Sequence, residues 1–405
     1  MLRSKCLVCH GKNLKTIIDL GNHAFADTFV PPEKVSEPLV THNLSCMMCE
    51  DCGNIQTAVK TDPSDRYSLF DYSYTSSNSN VSRKHWTDYS DEVVSKSGLQ
   101  VGSFVIEIGS NDGFLLKQFK TRHDCKVLGI DASPHVSSIA AENGIDTEVS
   151  VFDRSFSKHV VENYQKADLV IANNVFNHSE DPLDFVLGVS ELLKQDGTFV
   201  FELPYWKCAV ESEKIDQIYH EHVTYFTVTM AEKLLARAGL VIADVNVVDY
   251  HGGSLRVHAR KAPSKTSDTV GRLKEEEKSL DLFEISTYSK LFERLQNKKF
   301  NFLKKIYELK AAGNSIVAIG AAAKGNTFLN FLNLDNSVID CVTDTSEHKK
   351  GKLTPLSSIP IYGDEILGKY DDVYAIILSW NISEKLKQKL REINPRIEFL
   401  VFDEF

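Results

Sequence analysis

The feature that most constrains the fold is residues 103–119, SFVIEIGSNDGFLLKQF. An apolar run rich in β-branched residues enters Gly109, turns through polar residues to Gly113, and continues as a helix. A strand that leaves through a glycine turn into a helix opens a parallel α/β sheet, and such sheets bind ligands outside the carboxyl ends of their strands. The turn does not match the GxGxxG of dinucleotide-binding folds, which remain the competing reading. The same rhythm continues. VLGIDAS is a second strand ending at Asp131, where a carboxylate can accept both hydroxyls of a ribose. ADLVIANNVFNH is a third, with Asn173, Asn174 and His178 at its carboxyl end, and LLKQDGTFVFELPY adds a helix, a turn at Asp196-Gly197 and another strand. His178 reads either as a ligand-edge residue or as a surface cap.

A chain of 405 residues predicts two or three domains. No apolar run approaches the roughly 20 residues of a membrane span, and MLRSKCLVCHGKN lacks the apolar core of a secretion signal, so a cytoplasmic location is expected. The net charge of −10 argues against nucleic acid or an anionic membrane as partner, because phosphate recognition needs a basic face.

Five of the eight cysteines precede residue 53. Cys6/Cys9 and Cys49/Cys52 are two CxxC pairs, each able to turn two thiolates onto one face of a knuckle. Together they predict a closed, structural Zn²⁺ site, since four thiolates leave no open position for catalysis. Cys46 is a fifth candidate. Residues 63–83, rich in Tyr and Ser, form a connector in which Tyr72 and Tyr74 would share a side if extended.

IYHEHVTYF, residues 218–226, concentrates titratable groups. His220 and His222 lack the four-residue spacing of a zinc-binding helix. If extended, they share one face, with Glu221 on the other. A metal site completed by His178, a polar core strand and an acid–base site all remain open. Acid–base chemistry is favoured, because imidazole titrates near neutral pH. HGGSLRVHA follows, where Arg256 either meets a phosphate or caps the sheet. Residues 270–312 are helical with a charged, solvated face. NSIVAIGAAAKGNTFLNFL then begins a second strand–glycine–helix unit at Gly320, with Asn326 where a P-loop would carry Lys. YAIILSWN ends a later strand at Trp380 and Asn381. This second sheet either binds a nucleotide diphosphate or serves as a structural lid or dimer domain.

EIGSNDG, with Glu107, Gly109 and Gly113, resembles the first motif of class I S-adenosylmethionine methyltransferases. The wider set, CxxC…CxxCG with Gln56, YSYTSS, EIGSNDG, NNVFNH, IYHEHVTYF, HGGSLRV, GAAAKGNTFLNF and SWN, resembles the sugar C-methyltransferases that include deoxysugar 3-C-methyltransferases, over nearly the whole chain. The resemblance implies a zinc module at 1–62, the connector at 63–83, an S-adenosylmethionine domain at 84–262 and a Rossmann-like nucleotide-sugar domain at 263–405. It implies a nucleotide-linked 4-ketosugar substrate, with His222 removing the C3 proton and His178 or a tyrosine holding the enolate. Glu221, Tyr219, His220 and Tyr72 or Tyr74 would stand around the sugar. Cofactor contacts are expected from Glu107, Gly109, Asn111, Asp112, Gly113, Asp131, Asn173 and Asn174. Substrate contacts are expected from Tyr225, Arg256, Gly320, Lys324, Asn326, Trp380 and Asn381, in a monomer or small homo-oligomer. One departure concerns PLSSIPI, with Leu356 and Ser358 where the family has Gly and His. Another is His220, where some members have Asp. O- or N-methylation of a related sugar, or binding without catalysis, are the alternatives.

Overall fold

The computed structural model describes residues 1–61, 75–77 and 79–405, apart from the side chain of Asn381. Tyr72 and Tyr74 lie outside the described residues. Among these residues the strands form three sheets. The first is an antiparallel meander of β1 (Leu14–Ala24), β2 (Thr41–Cys49) and β3 (Ile55–Thr57). Its fourth strand, β9 (Thr224–Tyr225), comes from the end of the IYHEHVTYF segment, pairing Ile55 with Tyr225 and Gln56 with Thr224. The expected bounds assign that segment to the 84–262 domain alone. In the structure it also completes the N-terminal sheet.

The central sheet contains β4 (Phe104–Ile108), β5 (Lys126–Asp131), β6 (Thr147–Val149), β7 (Ala167–Ile171), β8 (Leu193–Pro204), β10 (Leu240–Val248) and β11 (Ser254–Lys261). Their order is β10-β11-β8-β7-β4-β5-β6, and only β11 runs against its neighbours. All five residues of β4 are buried, as befits a strand covered by helices on both faces. The Asp196-Gly197 turn lies within β8 as a register shift, with Ala167 opposite Leu193 but Leu169 opposite Thr198.

The third sheet is wholly parallel: β12 (Ser315–Ile319), β13 (Cys341–Thr343), β14 (Ile361–Tyr362), β15 (Val373–Ile377) and β16 (Ile397–Leu400), in the order β14-β13-β12-β15-β16. The order reverses at β12, where open α/β sheets form a ligand crevice. Before it runs the 27-residue helix Ile285–Ala311. Its Tyr288, Leu291, Leu295, Phe302, Ile306 and Leu309 share one core with Ile18 and Leu44 of the first sheet and Ile316 of the third. The N-terminal module is thus packed into the C-terminal half of the molecule. No helix among the described residues is long and apolar enough to cross a membrane.

Candidate active site

The four thiolates converge as their spacing predicts. Cys6 Sγ lies 3.5 Å from Cys52 Sγ, Cys9 Sγ lies 3.6 Å from Cys49 Sγ, and all four fall within 4.8 Å of one another. The edges of a Zn–S4 tetrahedron with bonds of about 2.3 Å are about 3.8 Å, so these residues fit Zn²⁺. Val8 N–H and Gly11 N–H donate to Cys6 and Cys9 sulfur, which orients the first knuckle. Cys46 stands apart in β2, fully buried beside Tyr225, and burial pushes its thiol up to about 12. The knuckles dock on the central domain, where Lys233 donates to the Cys52 carbonyl and Arg237 to that of Val8. Gln56 carries this order onward. It accepts Leu7 N–H, donates to the Lys5 carbonyl, and pairs across the sheet with Thr224, two residues from His222.

At the end of β4, Glu107 is 5% exposed, and its Oε2 has no partner among the described residues. Burial, with Asp112 and Asp131 nearby, pushes its carboxyl well above the usual range. A buried acceptor beside a glycine turn fits the cationic end of S-adenosylmethionine. Asp131 accepts N–H from both Asn111 and Ser133 at 2.9 Å. Asn173 accepts Glu202 N–H and the Tyr89 hydroxyl, and Asn174 donates its N–H to the Glu202 carbonyl. Gly113 caps the helix Phe114–His123. Asp112 departs from expectation. It is 1% exposed and spends its carboxylate on Ser76 and Ser77, fastening the end of the connector to the glycine turn rather than facing a ligand.

The IYHEHVTYF segment is a turn, not a strand, through its histidines. His222 N–H bonds back to the Tyr219 carbonyl, and Val223 N–H reaches Glu221 and Asn177 carbonyls. The two imidazoles therefore separate. The His220 ring lies 5.4 Å from Phe25 and 5.9 Å from His42, against the N-terminal sheet. The His222 ring lies 4.0 Å from Tyr219 and 5.4 Å from His178. The shared face expected of an extended HEH does not exist, and Glu221 is buried between them in the chain.

His222 is held in one tautomer. Its Nδ1 is 2.8 Å from the Gln217 carbonyl, which can only accept, so Nδ1 carries the proton. Nε2 then holds the lone pair and takes the Tyr219 hydroxyl at 2.7 Å. Burial, followed by the His178 and Lys324 charges, keeps His222 well below the usual imidazole range, so it is neutral near pH 7. Lys324 sits in the first turn of helix Ala323–Leu332 and bears also on His251, which burial and this cation lower to about 3.

Other expected contacts are placed differently. Arg256 is 3% exposed and its guanidinium is taken by Glu202 and Glu92 over the Tyr89 ring, so it closes an internal ion-pair network instead of meeting a phosphate. His85 joins that network through Glu202. Asn326 is fully buried and donates to the Ala26 carbonyl, tying the C-terminal helix to the N-terminal module. Tyr225 turns toward Cys46 and packs on Trp206, so it backs His222 at 6.4 Å rather than lining an opening. Trp380 binds Asp216 through its indole N–H. Asp216, Gln217 and His251 were not singled out in the sequence. Only His251, inside HGGSLRVHA, stood in a noted motif.

Three family models tile the chain: a zinc binding domain at residues 6–67, a methyltransferase domain at 83–245 and a C-methyltransferase C-terminal domain at 249–402. The C-methyltransferase NovU of Streptomyces niveus is 27% identical over 390 residues, covering 96% of this chain and 92% of its own length. An S-adenosylmethionine-dependent methyltransferase from Clostridium acetobutylicum is 18% identical, covers 44% of this chain and 92% of its own, and gives a TM-score of 0.36. Magnesium protoporphyrin IX methyltransferase from Synechocystis, solved with SAH bound, is 14% identical, covers 44% and 83%, and gives 0.36. Sheet order, glycine turn and thiolate cluster together define a class I S-adenosylmethionine-dependent methyltransferase with a zinc-binding module. The chain carries, in this order, the zinc binding, methyltransferase and C-methyltransferase C-terminal domains that these models describe.

Proposed function

We propose that this enzyme methylates C3 of a nucleotide-linked 4-keto-deoxysugar. The observation that carries the reading is His222: a buried imidazole, neutral near pH 7, with its protonated nitrogen fixed on Gln217 and its basic nitrogen presented to a tyrosine hydroxyl. Carbon is a nucleophile only after a proton leaves, and a ketone beside it makes that proton acidic enough for imidazole. An oxygen or nitrogen nucleophile already carries a lone pair and needs only modest help from a base, whereas carbon needs its proton removed first, so a fixed, neutral imidazole favours carbon. S-adenosylmethionine supplies the electrophilic methyl group. The chain's own residues perform the preceding work. His222 Nε2 takes the C3 proton once the Tyr219 hydroxyl bonded to it turns to the substrate oxygen, and Tyr219 and His178 then supply the hydrogen bonds that hold the enolate oxygen. Exclusion of water, shown by the 4% exposure of His222, strengthens those bonds. Glu107 and Asp131 take the cofactor, and the β12 turn with Gly320 and Lys324 takes the nucleotide diphosphate. NovU, a C-methyltransferase matched over most of both chains, agrees with attack by carbon.

The test is a panel of nucleotide-linked 4-ketosugars incubated with methyl-labelled cofactor, with products located by NMR. The expected product carries the label on the carbon next to the ketone, which re-forms when the enolate carbon takes the methyl group. A label on oxygen or nitrogen would replace this reading with that of a heteroatom methyltransferase.

A further inference from the structure

Asp216 has no part in the chemistry above. It lies in the 3-10 turn Ile215–Gln217, is 5% exposed, and accepts the Trp380 indole N–H on Oδ2 at 2.5 Å. Its Oδ1 is buried without a partner among the described residues. Trp380 belongs to the other sheet, where it opens the turn that follows β15. Its ring is seated on the central domain. A Cβ built on Gly252 would fall 2.2 Å from Trp380 Cη2, and Lys214 Nζ stands 4.3 Å over the ring. The neighbour of Asp216 is Gln217, whose carbonyl accepts His222 Nδ1–H and whose Nε2 donates to the His251 carbonyl. One short turn thus receives a hydrogen bond from the C-terminal domain on one residue and fixes the imidazole on the next.

We propose that Trp380 and Asp216 form a clasp through which the C-terminal domain sets the orientation and tautomer of His222, making both of them positioning residues. A carbonyl can hold the imidazole only while its own turn is held. Gln217 Nε2 ties the turn to the His251 carbonyl, and the clasp adds a second restraint, on the neighbouring residue, from across the domain boundary. The kinetic consequence rests on His222 being the base, whereas the structural consequence does not.

Two-bond ¹H–¹⁵N spectra of the full chain labelled with ¹⁵N-histidine read the tautomer directly, with His222 assigned by His222→Asn. The wild type is expected to show a protonated Nδ1 and a bare Nε2. Trp380→Phe keeps the ring over Gly252 but loses the donor, and Asp216→Ala loses the acceptor. Each is expected to give a mixed or reversed tautomer. Asp216→Asn keeps an oxygen acceptor of the same shape and is expected to retain the wild-type pattern. In the same variants, substrate C–H exchange without cofactor should fall about 10- to 100-fold for Trp380→Phe and Asp216→Ala, with S-adenosylmethionine affinity unchanged. The clasp is overturned if Trp380→Phe keeps the wild-type tautomer, or if Asp216→Asn scrambles it as Asp216→Ala does. If the tautomer responds as expected but the wild type exchanges no ketosugar proton, the base reading fails and the clasp stands.

Discussion

Two turns in this molecule are built alike and charged differently. At the first, Gly109 has φ +72°, its N–H bonds the Ile130 carbonyl near the end of the neighbouring strand over 2.7 Å, and Asp131 gathers N–H groups from Asn111 and Ser133. At the second, Gly320 has φ +94°, its N–H bonds the Thr343 carbonyl over 2.7 Å, and Asp344 gathers those of Ala321 and Ser346 at 2.8 Å. The backbone device is the same: a strand turns back over its neighbour's end and an aspartate pins the loop. The side chains differ. Two residues before Gly109 stands the buried Glu107; two before Gly320 stands Ala318. The second turn carries Lys324, and Lys349 donates to the Ala321 carbonyl. Fold alone therefore does not assign a ligand. Charge does, and within the proposed function it gives the first turn the sulfonium cofactor and the second the anionic diphosphate.

The largest expected effect breaks the first half of that contrast. Glu107→Ala should weaken S-adenosylmethionine binding about 10- to 100-fold, the worth of a charge-assisted hydrogen bond, and leave nucleotide binding unchanged in calorimetric titration. Equal losses for both ligands would erase the distinction. The second half is broken at Gly320, where a Cβ would meet Ser379 Oγ at 2.2 Å in a backbone region costly for L-residues. Gly320→Ala should raise KM for the nucleotide sugar about tenfold while cofactor titration stays as in wild type. Lys324→Gln sharpens the comparison through pH. This cation helps hold His222 down, so its loss should move the acidic limb of the exchange rate upward, toward about 6.5. An unmoved limb would separate Lys324 from the base.

The smallest effect is on stability. Burial holds His258 at about 4 and His251 at about 3, whereas the unfolded chain titrates near 6.5. As pH falls below about 6.5 the unfolded state takes up protons first, so stability present at neutral pH is lost on the way to the folded values. Each group contributes a slope of up to about 1.4 kcal/mol per pH unit. Thermal unfolding between pH 7 and 5 should show a falling Tm, with a flatter slope for His258→Gln.

The first turn was legible because its signal is local: strand, glycine and helix lie in seventeen consecutive residues of SFVIEIGSNDGFLLKQF. The thiolate cluster was legible because paired CxxC spacing leaves few other geometries. What failed depended on partners far along the chain. Period-two reasoning placed His220 and His222 on one face, but hydrogen bonds to Tyr219 and Asn177 carbonyls fold the segment into a turn. Arg256 looked like a phosphate ligand because nothing local reveals that Glu202 faces it across the β8–β11 pairing. Asp112 looked like a ligand contact until Ser76 and Ser77 took its carboxylate. Asp216 carried no pattern at all, since a lone acid acquires its role only when Trp380 arrives from another sheet.

The central claim is that His222 takes a proton from carbon before any methyl group moves. Incubating the wild-type enzyme with a nucleotide-linked 4-ketosugar in D₂O without S-adenosylmethionine, and following the C3 proton by NMR, tests it most directly. The account predicts steady replacement of that proton by deuterium in the wild type, and exchange at the uncatalysed rate in His222→Asn that still binds the sugar. Exchange by His222→Asn at the wild-type rate would contradict it.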